Sequence, residues 1–390
     1  MVIRRGDRFR LDPSPEVDRR LTTFVGHARY VWHQALALNR HRLAQGVPLL
    51  GYDDLAGMLR FWKGTHERGF LADAPSQPLQ PRLRDLARAF HEAFDPTQPL
   101  KHLPTFKKRG RDDTLRFPQG VEIVGNRVHL PKLGWVKCFP SRPIPGVLKN
   151  TTVSRHGRHG FVSVQTEQEV ADPLPQDPAD CIAGDLGVKH FLVLSDGTID
   201  DAPRAAYAHL RQQLPRVQRK LARQVKFSQN WQKTQRRLNV LYARVADLRR
   251  DVVQKLSPTV SQHHATVALD DLRIGHMTAS AKGTVEPPGT QGRQKAGLNR
   301  AILEMGWGRF VTLLAYTLAA QGGQLVLVPA TYSSQACPQC GHTAKANRPT
   351  RERCCCLACG YAKMADGKAA ETLEDRGRQR LGVPLRPHPA

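Results

Sequence analysis

Hydrophobic and polar positions alternate with two different periods along this chain. Val2 to Leu11 reads as a short basic strand, which Asp12-Pro-Ser-Pro interrupts. From Glu16 onward Leu21, Phe24, Val25, Ala28, Trp32, Ala35 and Leu36 recur on one face, which predicts a helix. A second helix is expected after Gln80-Pro81, with Leu83, Leu86, Ala87, Phe90 and Phe94 on one side. Proline suits a helix start, where its missing donor has no partner to lose. From Pro104 the period changes. Phe106-Lys-Lys-Arg is a basic loop, and Val121, Ile123, Val128 and Leu130 alternate around Gly125-Asn126, a hairpin signal. Leu133–Val136 and Val153–Val164 add short strands. The N-terminal part is thus a small β module with helices inserted near its start.

Pro173–Pro178 reads as a linker. Beyond it, Ile182–Leu194 reads as strand, turn, strand, and residues 207–256 as a long helical pair. In that pair Leu238, Leu241, Val245, Leu248 and Val252 keep a spacing suited to a coiled-coil seam. A strand at Thr266–Leu269, a polar glycine-containing loop at Gly275–Gly297, a helix at Leu298–Ala320 and a strand at Gln324–Val328 follow. A short helix is expected from about Ala369, and the tail from Pro384 to Ala390 is expected to be disordered.

Charge changes the picture more than length does. The 390 residues suggest two or three domains, and 59 Lys/Arg against 34 Asp/Glu give a net charge of +25. A field of that sign attracts polyanions. Membrane surfaces are anionic too, but the most apolar stretch, Phe310–Ala320, is too short to span a bilayer. Met1–Arg10 carries four arginines and no apolar run, so no secretory signal is expected. Nucleic acid is left as the leading partner. The helical pair holds 13 Lys/Arg against two Asp, and helices of one sign repel themselves unless a polyanion compensates. Arg236, Arg237, Arg249 and Arg250 are its candidate phosphate contacts, with Lys107 and Lys108 in the basic loop.

Six of the eight cysteines lie between Cys337 and Cys359, whereas Cys138 and Cys181 are isolated. Clustering of that kind favours a metal site in a reducing compartment over a disulfide scaffold. Cys337-Pro-Gln-Cys340-Gly and Cys356-Leu-Ala-Cys359-Gly are two knuckles, each supplying two thiolates on a tight turn, and two knuckles close a tetrahedral zinc shell. Four sulfurs leave no open position, so this zinc is structural. Cys354 and Cys355 blur the register: a Cys354 ligand stays open, although only Cys356/Cys359 gives a symmetric pair. Three acids stand in suggestive contexts: Asp185 in Ala-Gly-Asp-Leu-Gly-Val, Asp270 at the end of Thr-Val-Ala-Leu, and Asp366 in Met-Ala-Asp-Gly-Lys-Ala-Ala. Each alone reads as a turn or cap residue. Together, on neighbouring strands, they suit two Mg²⁺ ions clamping a scissile phosphate.

At these residues the chain resembles the TnpB family, relatives of the type V CRISPR effectors. Gly26-His-Ala-Arg-Tyr-Val-Trp resembles the family's first recognition helix, and Leu130-Pro-Lys-Leu-Gly-Trp-Val-Lys its wedge-barrel strand. Gly184-Asp-Leu-Gly-Val, Leu269-Asp-Asp-Leu and Ala365-Asp-Gly-Lys-Ala-Ala resemble the three RuvC motifs. Gly306-Trp-Gly-Arg-Phe resembles the helix after the second motif, and Tyr332-Ser-Ser-Gln-Ala-Cys-Pro-Gln-Cys-Gly the zinc ribbon. The resemblance implies an α/β plus β-barrel fold. Residues 1–15 and 97–172 would form a wedge β-barrel and 16–96 an inserted helical recognition lobe. Residues 179–330 and 363–382 would form an RNase-H-like RuvC domain, 331–362 the ribbon, and 383–390 a disordered tail.

It also implies an RNA-guided DNA endonuclease with guide RNA and target DNA as partners, structural Zn²⁺ and catalytic Mg²⁺ or Mn²⁺. Base pairing to the guide would read sequence. The catalytic acids would be Asp185, Asp270 and Asp366, with Asp185 and Asp366 on Mg²⁺. Gln80, in Leu-Gln-Pro-Arg-Leu, resembles the segment that contacts the target-adjacent motif. A cytoplasmic bacterial protein, bound to the nucleoid through DNA, is expected, and monomer and homodimer both stay open. Two positions depart from the family pattern. Asp270 replaces the usual Glu and Lys368 the usual Asn. Glu304, where relatives often carry Asp, is the candidate to compensate. The rival readings are an RNA-guided DNA-binding roadblock that no longer cuts, and a strand-transfer transposase that needs no guide. A zinc-ribbon transcription factor would leave over three hundred residues unexplained.

Overall fold

A computed structural model describes the chain except Met1 and residues 111–112, 157–158, 202–207, 282, 284–288, 351 and 387–390. It divides into two compact units, Met1–Ala171 and Asp172–Ala390. No helix among the described residues is long and apolar enough to cross a membrane.

The first unit opens with β1 (Val2–Asp12). Ser14 then caps α1 (Pro15–Ala44) by accepting a bond from the Val17 amide at 3.3 Å, with Pro15 in the first turn. The helix α2 (Tyr52–Gly64) and a 3-10 turn (His66–Ala72) follow; neither is among the sequence expectations. The helix expected after Pro81 begins earlier, as α3 (Ser76–Phe94). Pro81 sits inside it and removes only one bond, the one to the Gln77 carbonyl.

Six strands complete this unit: β2 (Thr114–Phe117), β3 (Glu122–Val124), β4 (Arg127–Leu130), β5 (Gly134–Phe139), β6 (Val147–His156) and β7 (His159–Glu169). They join β1 in one antiparallel sheet of order β2-β6-β7-β1-β5-β4-β3. The expected barrel is therefore a half-barrel, a ladder that ends at β2 and β3. One core runs through helices and sheet, from Phe9 and Leu11 through Trp32, Leu83 and Phe90 to Phe117 and Val162. The inserted helices are packed into the sheet's own core.

The second unit is a three-layer α/β/α structure. Its sheet contains β8 (Cys181–Asp185), β9 (Leu192–Leu194), β10 (Ile199–Asp200), β11 (Thr266–Asp270) and β12 (Gln324–Val328) in the order β10-β9-β8-β11-β12. β8, β11 and β12 are parallel, while β9 and β10 turn back on β8 as an antiparallel meander. Every residue of β11 is buried, as expected of a parallel strand covered on both faces.

Between β10 and β11 stand α4 (Ala208–Ala222) and α5 (Gln229–His263). Leu238, Leu241 and Val245 pack against Leu210 and Val217, as the seam predicts. Val252 does not continue it. The buried residue is Val253, which enters the sheet core with Leu256 and Val260. The helix changes partner there, so its buried face rotates.

After β11 come the short α6 (Ile274–Met277), α7 (Gly292–Met305) and α8 (Trp307–Ala320). The single helix expected over Leu298–Ala320 is broken at Gly306, whose φ of 78° no helix accepts. Part of the expected Gly275–Gly297 loop lies outside the described residues. The other face of the sheet is covered by α9 (Ala365–Leu381), which starts four residues before the expected Ala369. A Cβ on Gly377 would stand 2.6 Å from the Cβ of Ala268 on β11, so glycine lets α9 lie directly on the sheet. Of the tail expected to be disordered, Arg386 pairs with buried Glu371 at 3.1 Å, and residues 387–390 lie outside the described residues.

Candidate functional site: three carboxylates beside a four-cysteine ribbon

The parallel ladder positions the first two acids. Leu269 on β11 is in register with Gly184 on β8, so one step further Asp270 stands beside Asp185 at the ends of adjacent strands. Neighbouring strands run about 4.8 Å apart. The first turn of α9 brings Asp366 to the same place. Their electrostatics show the approach. Asp185 is pushed up to about 8 by burial, then by the charges of Asp270 and Asp366, with Arg348 pulling it down. Asp270 is pushed up to about 7, mainly by burial, against the stabilising amides of Asp270 and Leu186. Its residue is 5 % exposed, and its Oδ1 has no hydrogen-bond partner among the described residues.

A buried, unpartnered carboxylate oxygen among like charges is costly unless a cation compensates it. The donor set consists of hard oxygens, which fit Mg²⁺ or Mn²⁺. The cleft beside Asp366 is lined by Lys189, His190, Arg348 and Glu352 over the floor of Ile302 and Trp307. Arg348 is a site residue that sequence reasoning missed. Nothing in Asn347-Arg348-Pro349 marks it out; only the folded ribbon brings it to Asp185.

Glu304 pairs with Arg211 of α4 at 3.1 Å, and the charges named as acting on Asp185 are Asp270, Asp366 and Arg348. Lys368, two residues after Asp366, is fully buried, and its ammonium has no hydrogen-bond partner among the described residues. Its charge reaches Cys354, opposing the rise that burial causes in that thiol.

The second constellation is the ribbon. The sulfurs of Cys337, Cys340, Cys356 and Cys359 all lie within 4.8 Å of one another, with Cys337–Cys359 at 3.6 Å and Cys340–Cys356 at 3.5 Å. Zinc at about 2.3 Å from each of four tetrahedral sulfurs sets them about 3.8 Å apart, so the residues fit the metal. The two knuckles repeat one backbone design. Gly341 and Gly360 take φ of 73° and 76°, and their amides donate to the carbonyls of Cys337 and Cys356, each at 2.9 Å. Cys354 is outside the set; its thiol donates to the Ser334 carbonyl at 3.3 Å. Cys355 is outside it as well.

Asn347, fully buried, joins the knuckles. Its amide nitrogen donates to the Gln335 and His342 carbonyls, and its Oδ1 accepts from Leu357 at 3.0 Å. The hairpin of β13 (Arg353–Cys355) and β14 (Ala362–Met364) then leads straight into α9. The Ala365 amide donates to the Glu352 carbonyl at 2.8 Å, so the ribbon fixes the residue before Asp366.

The expected nucleic-acid contacts divide in two. Gln80, Lys108, Arg236 and Arg237 are exposed. Lys107 folds back with its ammonium 4.2 Å from the ring centre of Trp32. Arg249 donates to the Leu303 carbonyl at 2.7 Å, and Arg250 pairs with Asp247 at 2.9 Å.

Residues 162–281 match a family described as "Probable transposase", and residues 307–373 match the "Cas12f1-like, TNB domain". Residues 1–47 match a "Helix-turn-helix domain", although here they form β1 and α1. The chain is 39 % identical over 392 aligned positions to the "Putative RNA-guided DNA endonuclease InsQ" of Escherichia coli (strain K12), covering 98 % of this chain and 96 % of that one. It is 28 % identical to a "Putative RNA-guided DNA endonuclease" of Streptomyces pristinaespiralis, over 95 % of this chain and 89 % of that one. The fold resembles the protein in a Cas12f1–sgRNA–target DNA complex, with a TM-score of 0.53 at 11 % identity over 96 % of this chain and 99 % of that one.

Proposed function

The chain belongs to the TnpB family, and from that premise we propose that it is an RNA-guided, divalent-metal-dependent DNA endonuclease cutting target DNA beside a short target-adjacent motif. The observation that carries this reading is the convergence of Asp185, Asp270 and Asp366, with the uncompensated Oδ1 of Asp270 among them. The sheet order, with three parallel strands and an antiparallel meander on β8, supports an RNase-H-like RuvC assignment. Asp185 and Asp366 would hold Mg²⁺ or Mn²⁺ with Asp270 beside them. When bound, such ions neutralise charge at a scissile phosphate and supply a nucleophilic water at neutral pH.

The chain's own part is to position and to shield. The β8–β11 ladder holds two carboxylates in register, the ribbon fixes the third, and the apolar floor of Ile302 and Trp307 limits water on one side. Arg348 balances Asp185 in the same cleft. The exposed Arg236 and Arg237 suit a nucleic-acid backbone, as do Lys108 and Gln80 in the first unit. That unit is assigned the guide RNA and the target-adjacent duplex. The test is cleavage of a matched target by protein copurified with its own RNA. Asp185→Ala or Asp366→Ala should abolish cutting and leave RNA binding intact; undiminished cutting would overturn the assignment.

One observation favours a second reading, a guide-directed roadblock that binds without cutting. Lys368 buries a positive charge in the first turn of α9, close to a site that otherwise attracts cations. Target binding without cleavage in Mg²⁺ and Mn²⁺ would select it.

A further inference from the structure

The tip of the α4–α5 hairpin is built unlike the rest of its surface. Val225 is 79 % exposed and Phe227 is 68 % exposed, between two helices whose exposed large side chains, Tyr242 apart, are polar or charged. Phe227 also takes φ of 70°. A bulky side chain in that region is a true outlier and persists only where the surroundings impose it. Here they do. The Ser228 amide donates to the Val225 carbonyl at 3.1 Å, Ser228 caps α5 by accepting from Trp231, and Gln232 donates to the Phe227 carbonyl at 3.0 Å. The Phe227 ring makes a T-shaped contact with Trp231, with centroids 5.4 Å apart, and the Lys226 ammonium lies 5.2 Å from its centre. The ring is thus fixed in direction yet mostly in solvent.

Exposed apolar rings are unfavourable in water, and glycine would form this turn without strain. Arg223, Lys226 and Lys233 are neighbours of Phe227 along the chain; they are exposed and have no ion pair among the described residues. An aromatic platform within a positive field is the combination that accepts a nucleobase: phosphates meet the cations and the base face meets the ring. We propose that Phe227, braced by Trp231, is a stacking site for an unpaired or terminal nucleobase of the nucleic acid that the helical pair attracts. The inference rests on the nucleic-acid reading of that pair. The base could belong to guide RNA or to target DNA, since both present the same flat face.

The experiment uses the full chain and four probes: twelve-residue oligo(rA) and oligo(dA), and for each an abasic counterpart with the same phosphates. Wild-type protein should bind at least one base-bearing probe about tenfold more tightly than its abasic counterpart, a ratio expected of one stacked base. The sugar that shows the preference identifies the source. Phe227→Gly keeps the turn and removes the ring, so it should erase the preference without lowering thermal stability. Phe227→Trp should retain it. The salt dependence, set by the cations, should be the same in all three proteins. Salt-dependent binding with no base preference in the wild type, or a preference that survives Phe227→Gly, overturns the stacking site alone. Absence of salt-dependent binding to all four probes overturns the nucleic-acid reading beneath it.

Discussion

The ribbon, whose four cysteines fit zinc, and the carboxylate cluster, where divalent ions are proposed, are built in opposite ways. The four cysteines lie within one short segment, and their sulfurs meet because two tight turns repeat the same backbone bonds. The three aspartates come from β8, β11 and α9, and meet only because a parallel ladder and a covering helix bring them together. The cysteine shell is closed, so a metal there would serve the fold. The aspartate cluster gathers buried acids and an unpartnered oxygen, which makes it the proposed site of the catalytic ions. The two are joined at one point, because β14 leaves the ribbon and becomes α9 at Asp366.

That joint makes the largest effect fall at the ribbon. Cys337→Ser or Cys359→Ser should remove zinc, lower the melting temperature by more than about 10 °C, and abolish cleavage together with it. Metal analysis, thermal melting and a cleavage assay check this on one preparation. A zinc-free variant that melts and cuts like the wild type would separate the two centres. Asp185→Ala should do the reverse: cutting falls by roughly a thousandfold while zinc content stays as it was.

A smaller effect distinguishes the clip from the ligands. Asn347→Ala leaves two carbonyls and an amide without partners, at a cost of about 2–3 kcal/mol. Zinc should stay bound but melting should fall, and chelators should strip the metal faster. The smallest effect concerns protons. Asp185 and Asp270 keep their protons more tightly folded than unfolded, with values of about 8 and about 7. Their contribution to stability is complete below the ordinary aspartate value of about 3.9 and is lost as pH rises through 7 and 8. Melting without added Mg²⁺ should therefore decline over that range. Asp185→Asn should flatten the decline, and Mg²⁺ should stabilise the wild type more at pH 8 than at pH 6.

The same contrast explains what the sequence made legible. Cys337, Cys340, Cys356 and Cys359 were readable because ligand spacing within a few residues is itself the geometry. The closure that excludes Cys354 needed the fold, which turns that thiol to the Ser334 carbonyl. Asp185, Asp270 and Asp366 were suggested by their local motifs and by family resemblance, while their meeting depends on strand order, which no local pattern encodes. Helical spacing likewise shows which face Glu304 occupies, and not that Arg211 stands opposite. Arg348 and Asn347 carried no local signal. The break at Gly306 was missed because apolar period continues across it, whereas α2 was legible in principle, since Leu55, Leu59 and Trp62 recur at helical spacing on its buried face.

Cleavage by the wild-type protein tests the central claim most directly. The protein, copurified with RNA from its own locus, is given Mg²⁺ and a double-stranded target matched to that RNA, and Asp185→Ala is run beside it. The account predicts that the wild type cuts, that chelation of Mg²⁺ stops it, and that Asp185→Ala binds the same target without cutting. Stable binding of the matched target by the wild type, with no cleavage in either Mg²⁺ or Mn²⁺, would contradict it.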